Sequence, residues 1–131
     1  MKNAVVLLAI LTLAGCMHVN DNLHSASFSP LPFDAKGDGQ TDCTSAFQKA
    51  LDAAGKTGGI VAVPAGTFRI NGTLTIPDNV TLEGVNRAPV RGVMPDKGGT
   101  VLLAFAGKNT LDGPPFILMN ENSVLKGLTI F

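Results

Sequence analysis

FDAKGDGQTDCTSAFQKALDAAGKTGGIVAVPAGTFRINGTLTIPDNVTLEG, residues 33–84, decides how this chain folds. A Gly/Asp-rich turn, Gly37-Asp38-Gly39, leads into one amphipathic stretch. After Asp42, the candidate N-cap, Ala46, Phe47, Ala50, Leu51 and Ala54 recur at helical spacing. Gln48, Lys49 and Asp52 take the opposite side. Gly55 and then Gly58-Gly59 stop the helix. About three turns are too few to persist in water, so this helix needs something to pack on.

Beyond it lie four short runs of period 2. Val61 and Val63 form the first; Phe68 and Ile70 alternate with Thr67 and Arg69 in the second. Leu74 and Ile76 alternate with Thr73 and Thr75, then Val80 and Leu82 with Thr81 and Glu83. Each run offers one apolar and one polar face, as a half-buried strand does. The breaks fall at Pro64-Ala65-Gly66, Asn71-Gly72, Pro77-Asp78-Asn79 and Gly84. Asn71-Gly72 between two such runs is a hairpin signal and, taken alone, suggests an antiparallel meander or sandwich. The closely spaced short runs fit better a chain that turns corners and adds one rung at a time to separate parallel sheets. A weak internal repeat points the same way. Asn79-Val80-Thr81-Leu82-Glu83-Gly84 and Asn122-Ser123-Val124-Leu125-Lys126-Gly127 align at an offset of 43 residues. That is two turns of a solenoid, or one turn with a long loop. Residues 86–99 read as loop, Val101–Phe105 and Phe116–Met119 as strands.

This order of turn, helix, double glycine and short strands resembles the opening of the right-handed parallel β-helix proteins of the pectate-lyase superfamily. It is most similar to the rhamnogalacturonase/epimerase-like pectate lyase domain, whose members act on extracellular polysaccharides. The resemblance implies an all-β solenoid with one capping helix, Phe47 and Leu51 plugging its open N-terminal end. It also implies that Asp38 and Asp42 are structural, fixing the turn and the start of the helix. Cys43 stands where the family motif commonly has a second Asp.

The N-terminus reads as a targeting segment. Lys2 precedes an apolar run, Ala4 to Ala14, too short to span a bilayer and of the length of a secretory signal. It ends in Leu13-Ala14-Gly15-Cys16, which matches the bacterial lipoprotein box; a plain signal peptide with an incidental cysteine is the alternative. On this reading residues 1–15 are removed and Cys16 carries the lipid. Residues 16–32 form a flexible tether of roughly 20–25 Å, and 33–131 begin the β-helix domain. Met17 after the cysteine leans toward the outer membrane of a bacterial cell envelope, by resemblance to sorted lipoproteins. His18 and His24 lie in the tether and read as solvated side chains rather than a metal pair.

The chemistry of a site is harder to find. Ten basic and ten acidic residues cancel, so no nucleic-acid partner is implied, and seven Phe without Trp or Tyr leave few sugar-stacking platforms. Glycoside hydrolysis needs two carboxyls across a sugar ring, and lyase or epimerase chemistry a base beside a uronate carboxylate. No spacing here commits any pair to either task, and the catalytic residues stay unassigned. Arg87, Arg91 and Lys97, in the 86–99 loop, are the candidate contacts to an acidic sugar polymer, since guanidinium forks suit carboxylates; a solvated loop of balanced charge is the alternative. Cys43, without a nearby histidine, reads as a quiet thiol. The resemblance allows a calcium ion in the family, but no metal site is visible, and no cofactor is identifiable. Two functions stay open: a membrane-anchored polysaccharide lyase, hydrolase or epimerase, or a non-catalytic glycan-binding or structural β-helix lipoprotein. Because Leu128-Thr129-Ile130-Phe131 ends in an apolar run with no cap, the expectation is an N-terminal part of a longer protein, inactive alone.

Overall fold

The alternating runs become the sides of a prism. A computed structural model describes residues 26–87 and 98–131. In order these are Ser27–Phe28 (β1), Asp38–Asp42 (β2), the helix Thr44–Gly55 (α1), Gly59–Ala62 (β3), Gly66–Ile70 (β4) and Leu74–Ile76 (β5). Val80–Glu83 (β6), Thr100–Ala104 (β7), Ile117–Met119 (β8), Val124–Lys126 (β9) and Leu128–Ile130 (β10) follow. One sheet runs β1-β3-β6-β9, a second β2-β4-β7-β10, and a third pairs β5 with β8. Every pairing is parallel. From β3 onward the chain visits the three sheets in the same cyclic order, one strand in each, then begins again one rung further on. This is a β-helix-type architecture of parallel strands.

Asn71-Gly72 therefore turns a corner between two sheets and makes no hairpin. The Ile70 carbonyl, which a two-residue hairpin would pair with the Thr73 amide, instead accepts from the Phe105 amide at 2.9 Å, while the amides of Asn71 and Gly72 donate to Oγ1 of Thr44, at 2.9 and 3.1 Å. The 43-residue repeat is one turn of the coil, lengthened by the connections 85–99 and 105–116. Thr81 pairs with Val124 and Leu82 with Leu125. Asn79 and Asn122 both adopt the left-handed conformation at φ 59° and 53°, and Nδ2 of Asn122 donates to Oδ1 of Asn79 at 3.4 Å. One coil above the other, Gly84 and Gly127 approach so closely that neither tolerates a side chain. A Cβ on Gly127 would run into the carbonyl oxygen of Gly84, and Gly127 itself sits at φ 68°.

The inward residues of the four runs, Val61, Phe68, Ile70, Leu74, Ile76, Val80 and Leu82, are all buried, with Leu102 stacked beyond them. Alpha-1 closes one end of this core through Ala46, Phe47, Ala50, Leu51 and Ala54, every one of them buried. It occupies the place a strand of the third sheet would take in that coil, and it finishes the open edge of β5 with side chains. Oε1 of Gln48 accepts from the Thr75 amide at 2.9 Å, and its Nε2 donates to the Thr75 carbonyl at 3.1 Å. One side-chain amide thus replaces a neighbouring strand. Gln48→Leu leaves both backbone groups without partners, and should lower stability by about 1–3 kcal/mol in urea unfolding. It should also promote association through the bared edge.

Three expectations need correction. The helix begins at Thr44 with Cys43, not Asp42, in the cap position. Asp42 ends β2 opposite Arg69, and the chain needs one further residue to turn from strand to helix. Its carboxylate still serves the helix start, accepting from the Thr44 amide at 3.0 Å and the Thr44 hydroxyl at 2.6 Å. Secondly, Asp38–Asp42 is a strand as well as a turn, its pairing with β4 interrupted by a shift of register. Thirdly, the last residues assigned to the tether fold: Ser27 and Phe28 pair with Ile60 and Val61, and Leu31–Phe33 forms a 3-10 turn. Phe28 gains an apolar neighbour there that a tether denies it. Residues 16–25 of the tether, with Cys16, His18 and His24, lie outside the described residues.

Candidate functional site

The outward face of the second sheet gathers two cations around one aromatic ring. Arg69 in β4 points outward because its neighbours Phe68 and Ile70 point in. Its ladder partner is Leu103 in β7, and two residues on from Leu103, on the same face, comes Phe105. The Phe105 amide donates to the Ile70 carbonyl at 2.9 Å, which fixes the ring beside Arg69. The Arg69 guanidinium carbon lies 4.4 Å from the ring centroid. The turn after Phe105 brings Nζ of Lys108 to 4.9 Å from the same centroid. Both distances are those of cation–π contacts. Nε of Arg69 also donates to Oδ1 of Asn71 at 2.8 Å, which holds the guanidinium plane.

Two carboxylates of the adjoining strand β2 are held by hydrogen bonds. Asp42, the ladder partner of Arg69, is bonded by Thr44 and by the Asn71 amide at 3.3 Å. Burial works to raise its pKa and is outweighed by those bonds, so it stays below the usual carboxylate range. Asp38 accepts from the Thr41 and Gln40 amides, each at 2.8 Å, and from the Thr41 hydroxyl at 2.7 Å. These bonds, with that of the Thr41 amide largest, bring its pKa down to about 2. A carboxyl with a folded pKa below its unfolded value supports folding fully above the unfolded value and loses that support as pH falls. Stability should therefore drop between about pH 4 and pH 2, and Asp38→Asn should flatten that limb in acid titrations of the melting temperature.

Cys43 is buried, and burial pushes its thiol pKa up. Its Sγ lies 3.3 Å from the Lys36 and Thr41 carbonyl oxygens and accepts from the Lys36 amide at 3.3 Å. That arrangement suits a packed thiol and gives a substrate no approach. Among the loop residues singled out from sequence, Arg87 lies over the glycines that close the loop: a Cβ on Gly98 would stand 2.7 Å from its Nη1. Arg91 and Lys97 lie outside the described residues. Among the described residues, no group of three His, Cys, Asp or Glu side chains is placed to hold a metal ion, so no step is assigned to calcium. Arg69, Phe105 and Lys108 were not legible as a site, because only the coil offset brings residues so far apart in sequence together.

Known proteins give this geometry a context. Residues 31–125 match the family model described as rhamnogalacturonase A/epimerase, pectate lyase-like. Alginate lyase 7 of Azotobacter vinelandii is 47% identical over 60 residues, which is 40% of this chain and 7% of that protein. The preneck appendage protein of Bacillus phage PZA is 31% identical over 114 residues, 87% of this chain and 12% of that protein. The chain thus spans about a tenth of the length of these curated relatives. Among solved structures, the A-module of Azotobacter vinelandii mannuronan C-5 epimerase AlgE6 superposes with a TM-score of 0.52 at 27% identity, over 79% of this chain and 28% of that one. The helix, the strands from β2 to β8 and the stacked Asn79 and Asn122 fall within the matched stretch, and the chain belongs to the rhamnogalacturonase A/epimerase, pectate lyase-like family.

Proposed function

We propose that this chain forms coils of a polysaccharide-acting protein, a lyase, hydrolase or epimerase of uronate- or rhamnose-containing glycans, and that these coils bind the polymer without turning it over. The observation that carries this reading is the family match over residues 31–125, supported by an alginate lyase and a mannuronan epimerase among the similar proteins. The coil is taken to wind right-handedly, as nearly all parallel crossovers do. Arg87, Arg91 and Lys97 in the 86–99 loop would add positive charge along the path of an acidic chain. The test is calorimetric titration of the whole chain with alginate, pectin and a neutral glucan, alongside assays for new reducing ends and unsaturated uronate. Binding to at least one of the acidic polymers without product is expected. Loss of all polysaccharide binding would sink the reading.

Attachment to the outer membrane through Cys16 belongs to the same proposal and is supported by the Leu13-Ala14-Gly15-Cys16 box. Two acyl chains hold a protein on a bilayer where one holds it marginally, at ~0.8 kcal/mol per buried methylene. Cys16→Ser should move the protein from the membrane fraction to an unprocessed or soluble form and abolish labelling by a radioactive fatty acid. A second reading, a non-catalytic spike, is favoured by the phage appendage relative, which matches 87% of this chain. It predicts that any longer form of the protein also lacks turnover.

A further inference from the structure

We infer that Arg69, Asn71, Phe105 and Lys108 form a subsite for the carboxylate of an acidic sugar, spanning two successive coils. This rests on the reading of the chain as polysaccharide-acting. Two full positive charges share one ring, at 4.4 and 4.9 Å from its centre, so they stand no more than about 9 Å apart. Neither has a carboxylate partner among the described residues, whereas Lys126 elsewhere on the surface pairs with Glu83 at 3.2 Å. Asp42 faces Arg69 across the ladder, but its Oδ1 accepts from Thr44 and the Asn71 amide and it makes no ion pair with the guanidinium. The chain has no net charge, so this concentration is local and not a reflection of overall composition.

The construction fits a carboxylate better than a neutral sugar. Phe105 is engaged by the two cations, and so orients charge instead of offering a stacking platform. The protein hydrogen bonds of the Arg69 guanidinium end at Nε on Asn71, which leaves the paired Nη groups to fork onto two oxygens. Lys108 is exposed and supplies a second, more mobile charge. Arg69 comes from one coil, Phe105 and Lys108 from the next, so the subsite exists only when the coils are stacked in register.

The test is titration of the whole chain with alginate oligomers, dextran and poly-glutamate, at low and high salt, in wild type and four variants. Lys108→Gln and Arg69→Gln should each weaken alginate binding about tenfold, the effect of one charged hydrogen bond. Lys108→Arg should retain it, and Lys126→Gln should leave it unchanged. Lys108 is exposed, so its variants test the subsite even if Arg69→Gln perturbs the sheet. Salt should erase most of the difference between wild type and variants. Alginate binding that neither glutamine variant alters would overturn the subsite and leave the polysaccharide reading intact. No binding of wild type to any polysaccharide would overturn that reading itself. Equal affinity for dextran or for poly-glutamate would overturn the choice of an acidic sugar.

Discussion

Phe47→Ala should lower the unfolding free energy by about 3–5 kcal/mol, the usual cost of emptying a fully buried aromatic position. Phe47 has no solvent exposure, and its ring meets Phe68 edge-on at 5.3 Å between centroids with the planes at 64°. That contact joins the helix to the second sheet, across the end of the core. Edge-to-face pairs contribute about 0.5–1.5 kcal/mol beyond the area they bury. A double-mutant cycle with Phe68→Ala should return a coupling of that size. Since domains of this size are stable by only about 5–15 kcal/mol, this loss would be a large fraction of the whole. Urea unfolding followed by circular dichroism measures it. A loss below about 1 kcal/mol would mean that α1 packs elsewhere.

Gly127→Ala should be nearly as damaging, for a different reason. The left-handed conformation costs a non-glycine residue about 1–2 kcal/mol, and the new methyl group would collide with the Gly84 carbonyl oxygen. Overpacking of this kind adds about 1–3 kcal/mol, because the obstacle is backbone and cannot swing aside. The effect should be confined to the last coil. Hydrogen exchange should quicken at the Gly84 amide, which donates to the Lys126 carbonyl, while Val63, which donates to Glu83 one rung earlier, keeps its protection. Uniform loss of protection along the whole stack would show that the coils do not behave as separable rungs.

The parts of the fold that sequence disclosed are those where burial and period coincide. Phe68-Arg69-Ile70 and Leu74-Thr75-Ile76 alternate because one side chain in two enters the core, and helix α1 shows its apolar stripe for the same reason. Beta-2 was legible only as a turn: Asp38-Gly39-Gln40-Thr41-Asp42 has no apolar alternation, and its strand geometry comes from pairing with β4 and from the amides bonded to Asp38. Beta-1 is too short for any period to register. The cap residue was misplaced by one position, since Asp42 bonds the helix start from just outside it. The Arg69–Phe105–Lys108 cluster was hidden for a topological reason. Nothing in the local sequence of either segment announces that one coil places them side by side, and the charges singled out beforehand were those gathered in a single loop.

The unequal lengths of the coils have an evolutionary consequence. Ile60 stacks on Thr81 after one short circuit, whereas Thr81 stacks on Val124 after a circuit of 43 residues, yet the ladder between them is continuous. Lengthening a connection is cheap, about 0.6 kcal/mol for each doubling of a flexible loop. The spine and the corners are therefore decoupled: mutation can extend, shorten or replace the 85–99 and 105–116 excursions while the stacked Asn and Gly positions keep the register. A lineage built on this plan is free to change what its surface recognises one corner at a time, without re-solving the packing of its interior.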